Sequence, residues 1–212
     1  MNKTKIEWTD FSWNPVTGCK TGCPFCYARK LSHRFGRSFE PEFHPERLNQ
    51  PAKIKTPTVI FVCSMGELFG DWISDSWREQ VFDVIRQNPQ HTFQLLTKSP
   101  DNLYKANPWP VNAWAGASAI NAPMAQRAID GLSRTDAKVK FISAEPLQGD
   151  LDIQNFKVLD WMIIGAQTNP DRQPRKEWVE NILNQLQGLP IFMKPNLVWD
   201  TPLKNYPAQV EK

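Results

Sequence analysis

The chain of 212 residues is long enough to bury a substantial core and short enough for one domain, expected over 1–212. Its 41% hydrophobic and 22% charged residues are ordinary for a globular protein, and no apolar run approaches the ~20 residues that cross a bilayer, which excludes a spanning segment. The net charge of +3 is too small to mark a strongly basic nucleic-acid binder, but it is uneven: residues 1–55 hold 10 Lys/Arg against 5 Asp/Glu, and the remainder holds 15 against 17.

Met1–Glu7 lacks the apolar segment of a signal peptide, so a cytoplasmic protein is expected. A first strand is expected near Ile6–Ser12, followed by a loop that carries three of the four cysteines. Residues 20–37 then contain Lys20, Arg29, Lys30, Arg34 and Arg37 and no acid. Such a block is either a solvated basic face or a landing site for phosphate or for an acidic partner. Beyond it, short apolar runs recur at Thr58–Cys63, Thr92–Leu96, Ala113–Ala117, Val139–Ser143, Trp161–Gly165 and Pro190–Met193. Runs of this length rich in Val, Ile and Phe suit strands buried on both faces. Helical spacing separates them at Asp75–Gln87, Ala122–Leu132 and Lys176–Leu186, while 100–110 reads as loop. This alternation predicts an α/β fold with a parallel sheet and right-handed crossovers. Six or seven mostly parallel strands fall short of a closed eight-stranded barrel, so the expectation is a partial (open) (β/α) barrel. Its chemistry should sit at the carboxyl ends of the strands, where Cys19–Tyr27, Ser64–Glu67, Ser118–Asn121, Ser143–Glu145 and Gly165–Thr168 fall. Glu145, at a strand end before Pro146, is a candidate catalytic group, because an unpaired carboxylate there is costly.

The cysteine segment is Gly18-Cys19-Lys20-Thr21-Gly22-Cys23-Pro24-Phe25-Cys26-Tyr27. Cysteines this close cannot staple a domain, so metal or redox chemistry is indicated. A zinc ion held by the three thiolates with His33 or His44 is one reading, and a redox pair at Cys23-Pro24-Phe25-Cys26 is another. An unliganded, purely structural trio is a third. Cys63 ends an apolar run and reads as core. The spacing C-x3-C-x2-C with an aromatic before the last cysteine resembles the signature of the radical S-adenosylmethionine superfamily. Three thiolates at Cys19, Cys23 and Cys26 would leave one iron of a [4Fe–4S] cubane open to the amino and carboxylate groups of S-adenosylmethionine.

The resemblance extends along the chain through Trp13–Cys19, Ser64–Phe69, Gln94–Lys98, Ser143–Leu147 and Asp160–Gly165. As a set these segments are similar to a phage-associated, three-cysteine family of that superfamily, largely of unassigned function. Two places depart from it: Gly165-Ala166-Gln167-Thr168 stands where a Gly-Gly-Glu-Ser-like turn is expected, and Pro195 follows Lys194. The resemblance implies that Phe25 or Tyr27 touches the adenine, that Ser64, Gly66 and Glu67 receive the methionyl amino group, and that Ser118 and Asn121 bond the ribose or carboxylate. Ser118-x-x-Asn121 fits an ordinary helix cap as well. Four cysteines leave no room for a second cluster of the usual kind, which favours a reaction needing one radical. For phage relatives the resemblance implies work on hypermodified thymine in DNA, moving a glycyl group from nitrogen to carbon attachment on the thymine methyl. Arg172, Arg175 or Lys194 would pair with a substrate carboxylate. The implied partners are DNA and a flavodoxin or ferredoxin as electron donor, in the cytoplasm of the host cell if the chain is phage-encoded. An enzyme for a small metabolite or peptide, and a metal-bearing nucleic-acid-binding module without turnover, remain the alternatives.

Overall fold

A computed structural model describes residues 1–153 and 156–208; the expected domain over 1–212 therefore reaches past the described residues at 154–155 and 209–212. One sheet of eight strands organises it: β1 (Asn2–Lys3), β2 (Phe11–Trp13), β3 (Val59–Val62), β4 (Thr92–Thr97), β5 (Ala113–Ser118), β6 (Val139–Ala144), β7 (Trp161–Ile164) and β8 (Ile191–Met193). They lie side by side in chain order, with β2 to β8 parallel and β1 antiparallel at the edge. Four α-helices accompany them: α1 (Tyr27–Arg34), α2 (Asp75–Gln87), α3 (Ala122–Ser133) and α4 (Lys176–Gln185). Among the described residues no helix is long and apolar enough to cross a membrane.

The expected apolar runs all form strands, and three expected helices form within a residue of their predicted ends. Three expectations need correction. The sheet has eight strands rather than six or seven, because the short antiparallel β1 adds an edge. The early strand expected near Ile6–Ser12 forms at Phe11–Trp13, after the short β1, because Trp8 leaves the sheet edge to be buried. Residues 100–110 are not all loop: Pro100–Ala106 winds as 3-10 helix, pinned by Asn102, whose side-chain amide donates to Phe69 O at 2.8 Å and Asp71 Oδ1 at 2.7 Å.

Strand side chains alternate between faces, and the two faces bury different residues. Ile60, Val62, Phe93, Leu95, Ala115, Ile142, Met162, Ile164 and Met193 pack with the apolar stripes of α2, α3 and α4. The opposite face buries an aromatic group: Trp8, Phe61, Trp114, Phe141, Trp161 and Phe192. Trp8 measures the curvature. Its ring lies 4.9 Å from that of Phe61 on β3 and 6.1 Å from that of Trp161 on β7. Those strands are four spacings apart, roughly 19 Å in a flat sheet, so the sheet curls around the Trp8 indole. Gly116 opposite Phe141 leaves room for this packing, since a Cβ there would fall 2.2 Å from the phenyl ring. The sheet stays open, but its margins are tied: Lys204 pairs with Glu7, Tyr206 Oη donates to Glu7 O at 3.1 Å, and Phe192 bridges to Lys204.

Removing the plug should loosen the sheet. Trp8→Ala is expected to lower unfolding stability by about 3–5 kcal/mol in denaturant titration, as for other large-to-small aromatic changes in cores. Leu31→Ala, on an exposed position of α1, should stay within about 0.5 kcal/mol of the parent.

Candidate metal and substrate site at the strand ends

The cysteine loop leaves β2 and lies against the loop that leaves β3. Gly18 N donates to Met65 O at 2.9 Å, Glu67 N donates to Gly18 O at 3.3 Å, and Gly18 bridges to Gly66. The approach is too close for side chains. A Cβ on Gly66 would sit 2.8 Å from Val16 O, and one on Gly18, whose φ is +82°, would sit 2.1 Å from Glu40 O. Asn14 supports the same contact: its Oδ1 accepts from Met65 N at 2.8 Å and from Ser64 Oγ at 3.3 Å. Behind the loop, Arg29 Nη2 donates to Cys19 O at 2.9 Å, and its guanidinium lies 5.2 Å from the Phe39 ring centre.

All three loop cysteines are free and half-buried. Cys26 is the N-cap of α1, its Sγ accepting from Arg29 N at 3.4 Å. Cys19 Sγ accepts from Thr21 N at 3.3 Å. Burial pushes the Cys23 thiol above its ordinary value; the Lys98 ammonium opposes this, and Cys19 and Cys26 add to it. The three sulfurs and one ammonium thus share one neighbourhood. Cys63 is different: burial pushes its thiol up to about 12, and it belongs to the core.

Three thiols on one short loop are a donor set that a cubane could take at separate corners. Among the described residues no three His, Cys, Asp or Glu side chains are drawn together around a common point. His44, a candidate zinc ligand, is instead 2.8 Å from Thr17 Oγ1 and 3.5 Å from Glu46, while His33 is exposed on α1.

The aromatic face of the sheet continues upward in the same register. Trp114 and Gly116 lead to Ser118, Phe141 leads to Ser143 and Glu145, Ile163 leads to Gly165, and Phe192 leads to Lys194. The polar residues at the strand ends therefore share the side of the aromatic plug. Lys98, just after β4, comes within 3.4 Å of Ser118 Oγ through its Nζ. Tyr27 reaches across from α1, its Oη donating to Ser64 O at 2.6 Å. Burial raises its phenol, with the Ser64 hydrogen bond opposing and the negative charges of Cys26 and Glu145 adding to the rise. Two surface cavities, of 570 Å³ beside Leu186 and Tyr206 and of 220 Å³ beside Val179 and Trp199, lie elsewhere. Their walls mix apolar and polar residues and carry none of the strand-end groups.

The expected site residues fall in different surroundings. Glu67 is not offered to a ligand. It is buried, with Oε1 accepting from Thr97 Oγ1 at 2.7 Å and Phe69 N at 2.9 Å, and Oε2 from Lys98 N at 3.0 Å. It fixes the start of the Lys98 segment. Gly66 serves loop packing, and Asn121 caps α3 by accepting from Met124 N at 3.2 Å. Glu145 is not unpaired, since it forms an ion pair with Lys194. Arg172 and Arg175 are exposed, Arg175 lying over the Trp178 ring, and neither joins this group. Phe25 is half-buried on the cysteine loop. In the basic segment, Arg29 is internal and Lys20 pairs with Glu40, leaving Lys30, Arg34 and Arg37 outward. Lys98 and Asn14 were missed as site residues, although Lys98 stands in the quoted Gln94–Lys98 segment. A lysine just past a buried strand on the inward parity was the available signal.

Because the thiolate is the nucleophile, alkylation at pH 8 distinguishes the two kinds of cysteine. Metal-free native protein should take label at Cys19, Cys23 and Cys26, with Cys23 slower, and at Cys63 only after denaturation. Native labelling of Cys63 would contradict its burial. Gly18→Ala should cost about 1–3 kcal/mol from backbone conformation alone and should release the cysteine loop, read as lost iron binding on reconstitution.

Compared by sequence with curated proteins, the chain matches none. Its fold does match solved structures. A variant of spore photoproduct lyase superposes with a TM-score of 0.53 at 12% identity, over 91% of this chain and 57% of that one. Spore photoproduct lyase complexed with dinucleoside spore photoproduct gives 0.52 at 10% identity, over 89% and 64%. A further variant with bound AdoMet and dinucleoside spore photoproduct gives 0.52 at 11% identity, over 91% and 57%. At this identity the likeness concerns the fold, and the chain spans 57% to 64% of the length of these proteins. Residues 3–201 match a family model described as protein of unknown function (DUF5131), and the chain, with its cysteine loop, curled parallel sheet and strand-end polar groups, belongs to that family.

Proposed function

We propose that this chain is a radical S-adenosylmethionine enzyme that rearranges a hypermodified thymine base in phage DNA, converting a nitrogen-linked glycyl group to a carbon-linked one. The carrying observation is the grouping of Cys19, Cys23 and Cys26 at the carboxyl ends of a curled parallel sheet, on the side where Lys98, Ser118, Glu145 and Lys194 emerge. The fold likeness supports this reading, because spore photoproduct lyase is a radical S-adenosylmethionine enzyme. Solved structures of it hold AdoMet and a dinucleoside photoproduct. In this reading the curled sheet is a partial (β/α) barrel forming one domain.

Cys19, Cys23 and Cys26 would hold a [4Fe–4S] cluster, which together with S-adenosylmethionine supplies a 5′-deoxyadenosyl radical for hydrogen abstraction. The protein's part is placement. Gly18 and Gly66 bring the cysteine loop onto the β3 end, and Glu67 sets the Lys98 backbone. Lys98 puts positive charge beside Cys23 and Ser118, where it can balance anionic ligands. Tyr27 and Phe25 offer ring surface at the cysteine side. The aromatic plug around Trp8 closes the opposite end to water, as reactive intermediates require. A base in duplex DNA would have to leave the stack to reach this mouth. The rearrangement adds and removes no atoms, in keeping with a chain that has cysteines for one cluster.

The outward side of α1 is proposed as the landing site of the electron donor. Leu31 and Phe35 are exposed at 40% and 64%, four residues apart, and are flanked by Lys30, Arg34 and Arg37. Aromatic side chains with Arg suit a protein interface, and the positive rim suits an acidic flavodoxin or ferredoxin. These residues lie on and just past the helix that Cys26 caps, so docking there shortens the electron's path.

Anaerobic reconstitution should give a brown protein with about four irons per chain, lost in Cys19→Ala, Cys23→Ala or Cys26→Ala and kept in Cys63→Ala. Reduced protein should release 5′-deoxyadenosine and methionine, and modified nucleosides from incubated DNA should isomerise without change of mass. A colourless protein with one zinc would refute the proposal, and turnover on a small metabolite or peptide but not on DNA would replace its substrate. Arg34→Glu with Arg37→Glu should slow turnover with a flavodoxin donor and leave it unchanged with dithionite, which needs no docking surface. A defect that persists with dithionite would assign the face to nucleic acid.

A further inference from the structure

A cation that no carboxylate pairs with stands behind the cysteine loop. Arg29 is half-buried on α1; its Nη2 donates to Cys19 O at 2.9 Å, and its guanidinium lies 5.2 Å from the Phe39 ring centre. Its Nε is buried and has no hydrogen-bond partner. Other inward cations of this chain are neutralised, Arg78 by Asp75 and Lys194 by Glu145. Among the described residues Arg29 has no acidic partner. An aromatic face attracts a cation without cancelling its charge. Charge withdrawn from water with no counter-ion is costly, so its retention here calls for negative charge from another source.

The contacts of Arg29 point to that source. Its side chain grips the carbonyl of Cys19, and its main-chain N donates to Cys26 Sγ at 3.4 Å, so one residue touches both outer cysteines of the motif. Phe39 closes the arrangement, its O accepting from Cys19 N at 3.1 Å. Cys19 is thus held at both main-chain polar groups, and the guanidinium is fixed at one of them. A charge held inside the protein acts on neighbouring sulfur with little screening by solvent ions. Lys20 differs although it follows Cys19 directly: it is 52% exposed and pairs with Glu40 at 3.4 Å. We propose that Arg29 is a built-in counter-charge that raises the reduction potential of a cluster on the cysteine loop. The inference rests on reading Cys19, Cys23 and Cys26 as cluster ligands, and it deepens that reading by naming the residue that eases entry of the electron. A cubane closed by thiolates is anionic and gains one more negative charge on reduction, and net charge is among the terms that set its potential. The step moves one electron from the reduced donor to the cluster, with no bond made or broken at Arg29. Arg29 is therefore a positioning residue that touches the ligands and not the substrate, as outer partners of metal ligands do.

Potentiometric titration of anaerobically reconstituted protein, followed by electron paramagnetic resonance of the reduced cluster, tests this without turnover. Arg29→Gln and Arg29→Met remove the charge, and Arg29→Lys keeps it. The two neutral variants should lower the midpoint potential by about 59 mV, a tenfold change in the ratio of reduced to oxidised protein for one electron. Arg29→Lys should stay near the parent. Lys20→Gln removes an exposed, paired charge and should shift the potential far less, while the shift in Arg29→Gln should persist at high salt. Loss of packing alone would move melting temperature and leave the potential in place. An unmoved potential in both neutral variants would overturn the proposal. So would a fall as large in Lys20→Gln, since burial of the charge would then be irrelevant, or a fall as large in Arg29→Lys, since charge would not be the cause. Neutral variants that fold by circular dichroism but take up no iron, beside an Arg29→Lys that loads fully, would uphold it, because the anionic cluster then requires the cation to form. Iron lost from all three, or loss of fold in the neutral variants, would make Arg29 a scaffold residue and overturn it. A parent protein without about four irons refutes the cluster reading itself; a loaded parent whose potential ignores Arg29 refutes this inference alone.

Discussion

The site depends on a backbone contact that tolerates no side chain. Gly18 and Gly66 bring the loops after β2 and β3 together, with Met65 O and Gly18 O as acceptors and Asn14 filling the remaining donors. Everything the cysteines can do follows from this. The contact fixes where Gly18 ends and Cys19 begins, and Arg29 then holds Cys19 O from behind. Cys26 closes the loop by starting α1. A loop with free backbone would have to be ordered by its ligand at an entropic cost of roughly 1–2 kcal/mol per residue; this one is ordered beforehand by neighbouring main chain.

A second constraint is the parity of the strands. Because side chains alternate, the aromatic groups that fill the concave face commit the residue two places on to that face as well. Phe141 thus aims Glu145, through Ser143, and Phe192 aims Lys194. The curl measured by Trp8 brings the ends of β6, β7 and β8 around Gly165, so that an ion pair forms between residues 49 apart in sequence. The dry lower end and the charged upper end are two parts of one register. This gives the upper groups a rigid support and a low-dielectric floor, which strengthens their interactions with a ligand.

The outward face of α1 sits outside this scheme. Only Ala28 of its eight residues is buried, so the helix contributes little to the core. Its position is held by Cys26 at the cap, by Arg29 over Phe39, and by Tyr27 on Ser64 O. A helix kept at the surface with an apolar stripe facing water suits contact with something else, and its place beside Cys26 ties that contact to the cysteine loop.

Much of the fold was legible in the sequence. Val59–Val62 or Val139–Ala144 announces a buried strand through its own composition, and α2 shows its stripe within its own thirteen residues. The cysteine spacing likewise is a local property, as is its likeness to a known signature. Helix α1 escaped because its apolar residues face outward and give no core periodicity, and Trp8 escaped because its burial depends on the curl of strands that follow it. The roles of individual polar residues were the least legible. Glu67 and Glu145 look alike in sequence, each a carboxylate just after a strand, yet one is locked inside by Thr97, Phe69 and Lys98 while the other faces the mouth with Lys194. Lys98 beside Cys23, and Asn196 with its bare oxygen, show nothing in their neighbours along the chain. Periodicity and motif spacing are short-range and are written into consecutive residues, so the sequence alone determined six of the eight strands of the sheet, three helices and the thiolate set. Which charges meet across the mouth depends on strand order and curvature summed over the whole sheet, and that was decided only by the tertiary structure.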